Sequence, residues 1–149
     1  MESQYISLAS RKLYLNPIHI DSTFDILKIH QVLFKNIFEW AGSIRKITMY
    51  KSEPILGGCS VDYTPASYIE TELKDADKIL QSINWKLIDN RQKIIKIAEV
   101  VAEVWRVHPF REGNTRSTAF FLYFLLIQNG FIVRKDFLYQ YAKYFRNAL

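Results

Sequence analysis

Two amphipathic segments, residues 91–107 and 117–128, are separated by the nine residues His108-Pro109-Phe110-Arg111-Glu112-Gly113-Asn114-Thr115-Arg116. The second segment reads STAFFLYFLLIQ and the first is amphipathic at helical spacing, so both are read as buried helices and the intervening residues as the loop that joins them. Pro109 disfavours helical geometry at His108, Gly113 permits a tight turn, and Asn114 carries a side chain suited to N-capping the helix that follows. With two buried helices brought together by so short a connection, a mostly α fold is expected.

The same loop places a base, an acid and a cation together. If a helix starts after Asn114, the backbone N–H groups of Gly113, Asn114 and Thr115 point out of its positive end, where an anion binds. A plain helix–loop–helix connection with a cap accounts equally well for His-Pro and Gly-Asn. Glu112 and Arg116 favour chemistry instead. Arg116 would sit in the first helical turn, where a cation opposes the macrodipole unless an anion is bound. Glu112 is a hard oxygen ligand beside the same place, which suggests Mg2+ bridging a carboxylate and a phosphate. His108, at the other end of the loop, is available to take a proton. Phosphoryl chemistry suits this set.

The rest of the chain sets limits. Its 149 residues are 49% hydrophobic and 15% aromatic, without repeats, low-complexity tracts or linker-like stretches, so residues 1–149 are read as a single domain. The lone Cys59 excludes an internal disulfide. No apolar run reaches the ~18 residues of a membrane span, and the opening MESQYISLASRK lacks the order of a signal peptide, so a cytoplasmic protein without membrane contact is expected. The formal net charge of +5 is spread among 15 acids with no basic cluster, so direct nucleic-acid binding is not expected.

Helical patterns are weak over residues 3–14 and clear elsewhere. Asp21-Ser22-Thr23 can cap a helix reaching about Phe38, Pro65 opens one reaching about Gln81, and Asp89 or Asn90 starts the long helix ending near His108. The STAFFLYFLLIQ helix stops at Asn129-Gly130, and a last helix begins near Asp136. Between Ile44 and Tyr63 the helical period breaks, with Gly57-Gly58 as turn material, which reads as a β-hairpin. His30 has apolar helical neighbours and is read as a structural histidine rather than a catalytic one. Phe137, Tyr139, Tyr141, Tyr144 and Phe145 read as core packing or as the lining of an adenine pocket.

The loop resembles the Fic family signature HxFx(D/E)GNGRxxR, with His108, Phe110, Glu112, Gly113, Asn114 and Arg116 on matching positions. Residues 29–34 and Trp40-Ala41-Gly42-Ser43-Ile44-Arg45 resemble the helix and WAG-x-x-R turn that precede the family's hairpin flap, so the likeness covers roughly residues 20–149. The resemblance implies a helical bundle with one short β-hairpin flap over about residues 44–63 and an active loop at 108–116. It also implies a protein adenylyltransferase that moves AMP from ATP to a Ser, Thr or Tyr hydroxyl of a target protein. His108 would be the general base, Glu112 the Mg2+ ligand, and Phe110 the anchor of the loop in the core. Gly113, Asn114 and Thr115 would cradle the phosphates and Arg116 would contact the distal ones. The flap would align the target by strand addition, with Lys51 either its basic position or a solvated hairpin tip. Topoisomerase subunits and the enzyme itself are the target candidates that the resemblance suggests.

Two departures qualify this expectation. Position 115 is Thr where the signature has Gly; in the Doc subgroup a larger residue here accompanies reversed ATP and protein phosphorylation. Position 119 is Ala where a second arginine grips the γ-phosphate in the family, and Arg134 and Arg146 are candidates to substitute for it. A Doc-like phosphotransferase and a catalytically weak Fic-like binding module are therefore the alternatives. The chain also lacks the (S/T)xxxE(G/N) inhibitory motif of many members. That points to a missing C-terminal inhibitory helix or to a separate antitoxin-like partner.

Overall fold

The computed structural model describes residues 1–52, 60–134 and 136, of which residues 51, 52, 60 and 61 are described by backbone alone. Five helices carry this part of the chain: α1 (Glu2–Leu15), α2 (Asp25–Phe34), α3 (Ile69–Gln81), α4 (Asn90–Val107) and α5 (Asn114–Gln128). α5 is apolar on nearly every side, and a helix of that kind needs partners on several faces. It packs against both α2 and α4, while α1 packs on α2 and α3 on α4. Phe120, Phe121, Tyr123, Phe124 and Leu125 of α5 join Ile26, Ile29 and Phe34 of α2 and Val100 and Val104 of α4 in one core. Phe110, a loop residue, is fully buried in the same core, so the loop is fastened to the fold through its own side chain. No helix among the described residues is long and apolar enough to cross a membrane.

The start of α4 follows from local chemistry. Asp89 caps α4, accepting the Gln92 N–H at 2.8 Å while the Gln92 side chain accepts the Asp89 N–H at 3.0 Å, a reciprocal capping box. α5 ends before Asn129 and Gly130 as its sequence predicts. Other boundaries differ from the prediction. Asp21-Ser22-Thr23 does not cap α2; it forms a turn ahead of the helix. Asp25, inside α2, reaches back to the N–H groups of Asp21 and Ser22, both at 2.9 Å, and Asp77 of α3 takes that of Thr23. α2 stops at Phe34 rather than near Phe38, because Phe38 stacks on Trp40 at 4.3 Å and turns the chain into the Trp40-Ala41-Gly42 segment. Pro65 precedes a 3₁₀ turn, Ala66–Tyr68, and α3 begins only at Ile69.

The hairpin predicted over residues 44–63 is narrower in its described part. β1 (Tyr50–Ser52) pairs antiparallel with β2 (Ser60–Asp62), with Tyr50 opposite Asp62, Lys51 opposite Val61 and Ser52 opposite Ser60. Residues 44–49 are not a strand, because the Arg45 side chain takes the carbonyl of Ile47 at 2.6 Å. The side chain of Lys51 lies outside the described residues, as do Ile55, Leu56 and the expected last helix with Phe137, Tyr139, Tyr141, Tyr144, Phe145 and Arg146.

Candidate active site

His108 ends α4 in the left-handed conformation, φ 53° and ψ 63°. Such a backbone costs a non-glycine residue about 1–2 kcal/mol and persists only when its surroundings hold it. Pro109 disfavours the right-handed helical alternative, as the sequence implies, but not in favour of a positive φ. The hold comes from Arg45, whose guanidinium donates from Nε to the His108 carbonyl at 2.8 Å and whose own N–H donates to the Pro109 carbonyl at 2.8 Å. The imidazole lies flat against Tyr63, ring centroids 3.7 Å apart and planes 7° from parallel, and Trp105 meets it edge-on at 5.0 Å. Only 6% of His108 is exposed. The candidate base is thus fixed in backbone and in ring plane.

The middle of the loop closes on itself and on α2. Asn114 Oδ1 accepts the Phe110 N–H at 2.9 Å, and Asn114 Nδ2 donates to the Phe110 carbonyl at 2.7 Å. Asn114 is therefore not the N-cap that its residue type suggests. Gly113 is, in a left-handed conformation with φ 84°, and Asn114 is the first helical residue, its amide turned back to clasp Phe110. The amide thereby bridges both polar groups of the Phe110 backbone. Gly113 is required twice over: by its φ and because an added Cβ would lie 2.5 Å from Phe34 Cε2.

His30, fully buried, joins this loop to the Trp40-Ala41-Gly42 turn. Gly42 N–H donates to Nδ1 at 2.9 Å, so the ring is neutral at Nδ1 and donates from Nε2 to the Glu112 carbonyl at 3.0 Å. Its ring also stacks on Phe110 at 3.8 Å. The structural reading of His30 holds, with the addition that what it supports is the active loop. Burial lowers its pKa from 6.5 to about 4. The unfolded chain therefore takes up this proton more readily than the folded one, and the His30 contribution, complete above pH 6.5, is lost as pH falls towards 4. The expected loss of unfolding free energy is on the order of 3 kcal/mol. Urea melts at pH 7 and pH 4.5 measure it, and an equal pH dependence in His30→Gln would remove His30 as the cause.

The opposite side of the loop carries the positive end of α5. The first helical hydrogen bond of α5 runs from Ser117 N–H to the Gly113 carbonyl, which leaves the N–H groups of Asn114, Thr115 and Arg116 without helical partners at the positive helix end. The Arg116 guanidinium lies over the Phe34 ring, 4.7 Å from its centroid, and 3.6 Å from the exposed Glu112 carboxylate. Glu112 Oε1 also accepts the Gly113 N–H at 3.0 Å. Among the described residues no three His, Cys, Asp or Glu side chains gather into a metal cage. A lone exposed carboxylate beside an anion site suits a hard cation such as Mg2+, which is commonly held by one or two carboxylates together with substrate phosphates. Thr115 and Ala119, the two departures from the signature, are both half-buried.

A family model described as Fic/DOC family matches residues 21–126. The chain belongs to the Fic/DOC family. A protein adenylyltransferase of Bartonella henselae is 30% identical over 114 residues, 70% of this chain and 21% of the relative. A probable protein adenylyltransferase of Sinorhizobium fredii is 30% identical over 106 residues, 69% of this chain and 51% of the relative. This Fic chain thus spans about half or less of the length of those curated relatives. Among solved structures, the BepC protein of Bartonella tribocorum with bound AMPPNP superposes with a TM-score of 0.73 at 22% identity, covering 92% of this chain and 70% of that one. The Fic domain of a putative cell filamentation protein of Bartonella quintana with bound ADP gives 0.69 at 23% identity, covering 99% of this chain and 76% of that one. These two likenesses establish the Fic fold.

The Fic loop carries His108, Phe110, Glu112, Gly113 and Arg116; Phe110 is fully buried, and Arg116 lies 3.6 Å from Glu112. It also uses residues that were not singled out for a role. Tyr63 and Trp105 fix the imidazole plane, Phe34 supports both Gly113 and Arg116, and Arg45 clamps the loop. Arg45 had one signal, its place in the WAG-x-x-R turn.

Proposed function

We propose that this chain is a Mg2+-dependent protein adenylyltransferase. The observation that carries the reading is the loop itself, which joins an immobilised histidine at the end of α4 to the N–H groups at the start of α5 that lack helical partners. Relatives of about 30% identity named as protein adenylyltransferases support it. In this reading His108 takes the proton from a Ser, Thr or Tyr hydroxyl of a target protein as that oxygen attacks the α-phosphate of ATP. A bond forms from the hydroxyl oxygen to the α-phosphorus, the bond to the oxygen shared with the β-phosphate breaks, and pyrophosphate leaves. The N–H groups of Asn114 to Arg116 and the Gly113 turn receive phosphate charge, and Arg116, steadied on Phe34, reaches the distal phosphates. Glu112 would hold Mg2+, which neutralises phosphate charge when bound. Phe110 anchors the loop, and the β1–β2 hairpin aligns the target's extended segment, with Lys51 as its basic position. The target is a protein bearing a hydroxyl side chain; topoisomerase subunits and the chain itself are the candidates.

A second reading rests on Thr115, whose Cβ and hydroxyl stand in the first turn of α5 where the signature has glycine. It is Doc-like transfer of the γ-phosphate. ATP labelled separately at the α- and γ-phosphates decides between them when incubated with a bacterial lysate. Label from the α-phosphate on protein, abolished by EDTA, is the expected result. Label from the γ-phosphate alone would replace adenylyl transfer by phosphotransfer, and no label from either would leave a binding module.

A further inference from the structure

Arg45 is 2% exposed and, among the described residues, makes four side-chain hydrogen bonds, all to backbone carbonyls. Nε donates to the His108 carbonyl at 2.8 Å, Nη2 to the carbonyls of Val107 at 3.2 Å and Thr64 at 2.5 Å, and Nη1 to that of Ile47 at 2.6 Å. Val107 and His108 are the end of α4, where orphan carbonyls and the negative end of the macrodipole favour a cation. Ile47 and Thr64 flank the paired strands, one on each side. A single planar fork therefore ties both stems of the hairpin to the peptide that carries the candidate base. Burial lowers the Arg45 pKa, yet a guanidinium stays charged under any ordinary condition.

Thr64 is held a second time. Its hydroxyl donates to Glu72 of α3, and Glu72 in turn accepts from Arg106 of α4 at 2.8 Å. Tyr63, the residue before it, is the one whose ring lies against the imidazole. Holding the Thr64 peptide thus also holds the surface against which His108 rests. Lysine could keep the charge but not the fork, because one ammonium cannot reach four carbonyls set around a plane.

We infer that Arg45 is a positioning residue for the transfer reaction: it keeps the left-handed His108 peptide and the hairpin stems in fixed register, so that base and target segment meet. The inference rests on the adenylyltransferase reading, and its test separates the two. Arg45→Lys and Arg45→Met are compared with the unmodified chain in transfer of α-label, in ATP affinity, and in the His108 Cε1–H proton resonance, which is assigned by its absence from His108→Asn. The expected result is a fall in kcat of about 10²-fold, the size of loss an ångström-scale misplacement produces. ATP affinity should stay within about threefold and the His108 resonance should move. Folded variants with kcat within about threefold of the unmodified chain, or with an unmoved resonance, would overturn it. So would the failure of both variants to fold, which would make the clamp purely structural. If the unmodified chain transfers no label, the functional reading fails, and the resonance together with ATP affinity still decides whether Arg45 positions His108.

Discussion

His108→Asn is expected to fold, to bind ATP, and to transfer AMP about 10²- to 10⁴-fold more slowly than the unmodified chain, the range a positioned proton acceptor contributes. Asparagine is the informative replacement because position 108 is left-handed, φ 53°, a conformation that Asn tolerates better than most residues. The amide cannot accept the proton of an attacking hydroxyl, so the change removes the chemistry while disturbing the backbone least. Some stability is lost with the ring that lies between Tyr63 and Trp105. A urea melt alongside the transfer assay separates that loss from the catalytic one. Label transfer within threefold of the unmodified rate would exclude His108 as the base and move attention to a hydroxyl activated by the metal.

Gly113→Ala should cost the most stability of any single methyl added to the described part of the loop. Two penalties coincide: about 1–2 kcal/mol for an L-residue at φ 84°, and about 1–3 kcal/mol for forcing apart a packed core where the new Cβ would sit 2.5 Å from the Phe34 ring. The expected total is roughly 2–5 kcal/mol in urea unfolding, with ATP affinity reduced because the same turn sets the first N–H groups of α5. Phe34→Leu in the alanine background should recover part of the second penalty but none of the first. A double-mutant cycle showing no coupling between the positions would mean that the loop does not close on Phe34.

The chemistry of residues 108–116 was legible in the sequence because it is local. Proline beside histidine, glycine at a turn, and a cation in the first turn of a helix each constrain the backbone within a few positions. Asn114 marks where such reading fails. An asparagine at a helix start looks the same whether it caps or bends back, and only the positive φ of Gly113 shows that glycine took the cap and left the amide to Phe110. The clamps lay further out of reach. Arg45 meets His108 across 63 residues and His30 meets Glu112 across 82, and no periodicity encodes a pairing over such distances. The hairpin was drawn too long for a related reason, since residues 44–49 alternate like a strand while Arg45 commits their neighbourhood to carbonyls elsewhere. α2 was drawn too long because the Phe38–Trp40 stack overrides a helical pattern that local propensity would have continued.

The burial of α5 has one more consequence. Because Phe120, Phe121, Phe124 and Leu125 anchor it in the common core, most of α5 opens only with the unfolding of that core. The amides of its first turn therefore belong to a helix that is already packed along most of its length. Any adjustment at this end of the loop therefore falls first on side chains that reach solvent, those of Arg111, Glu112 and the partly exposed Arg116.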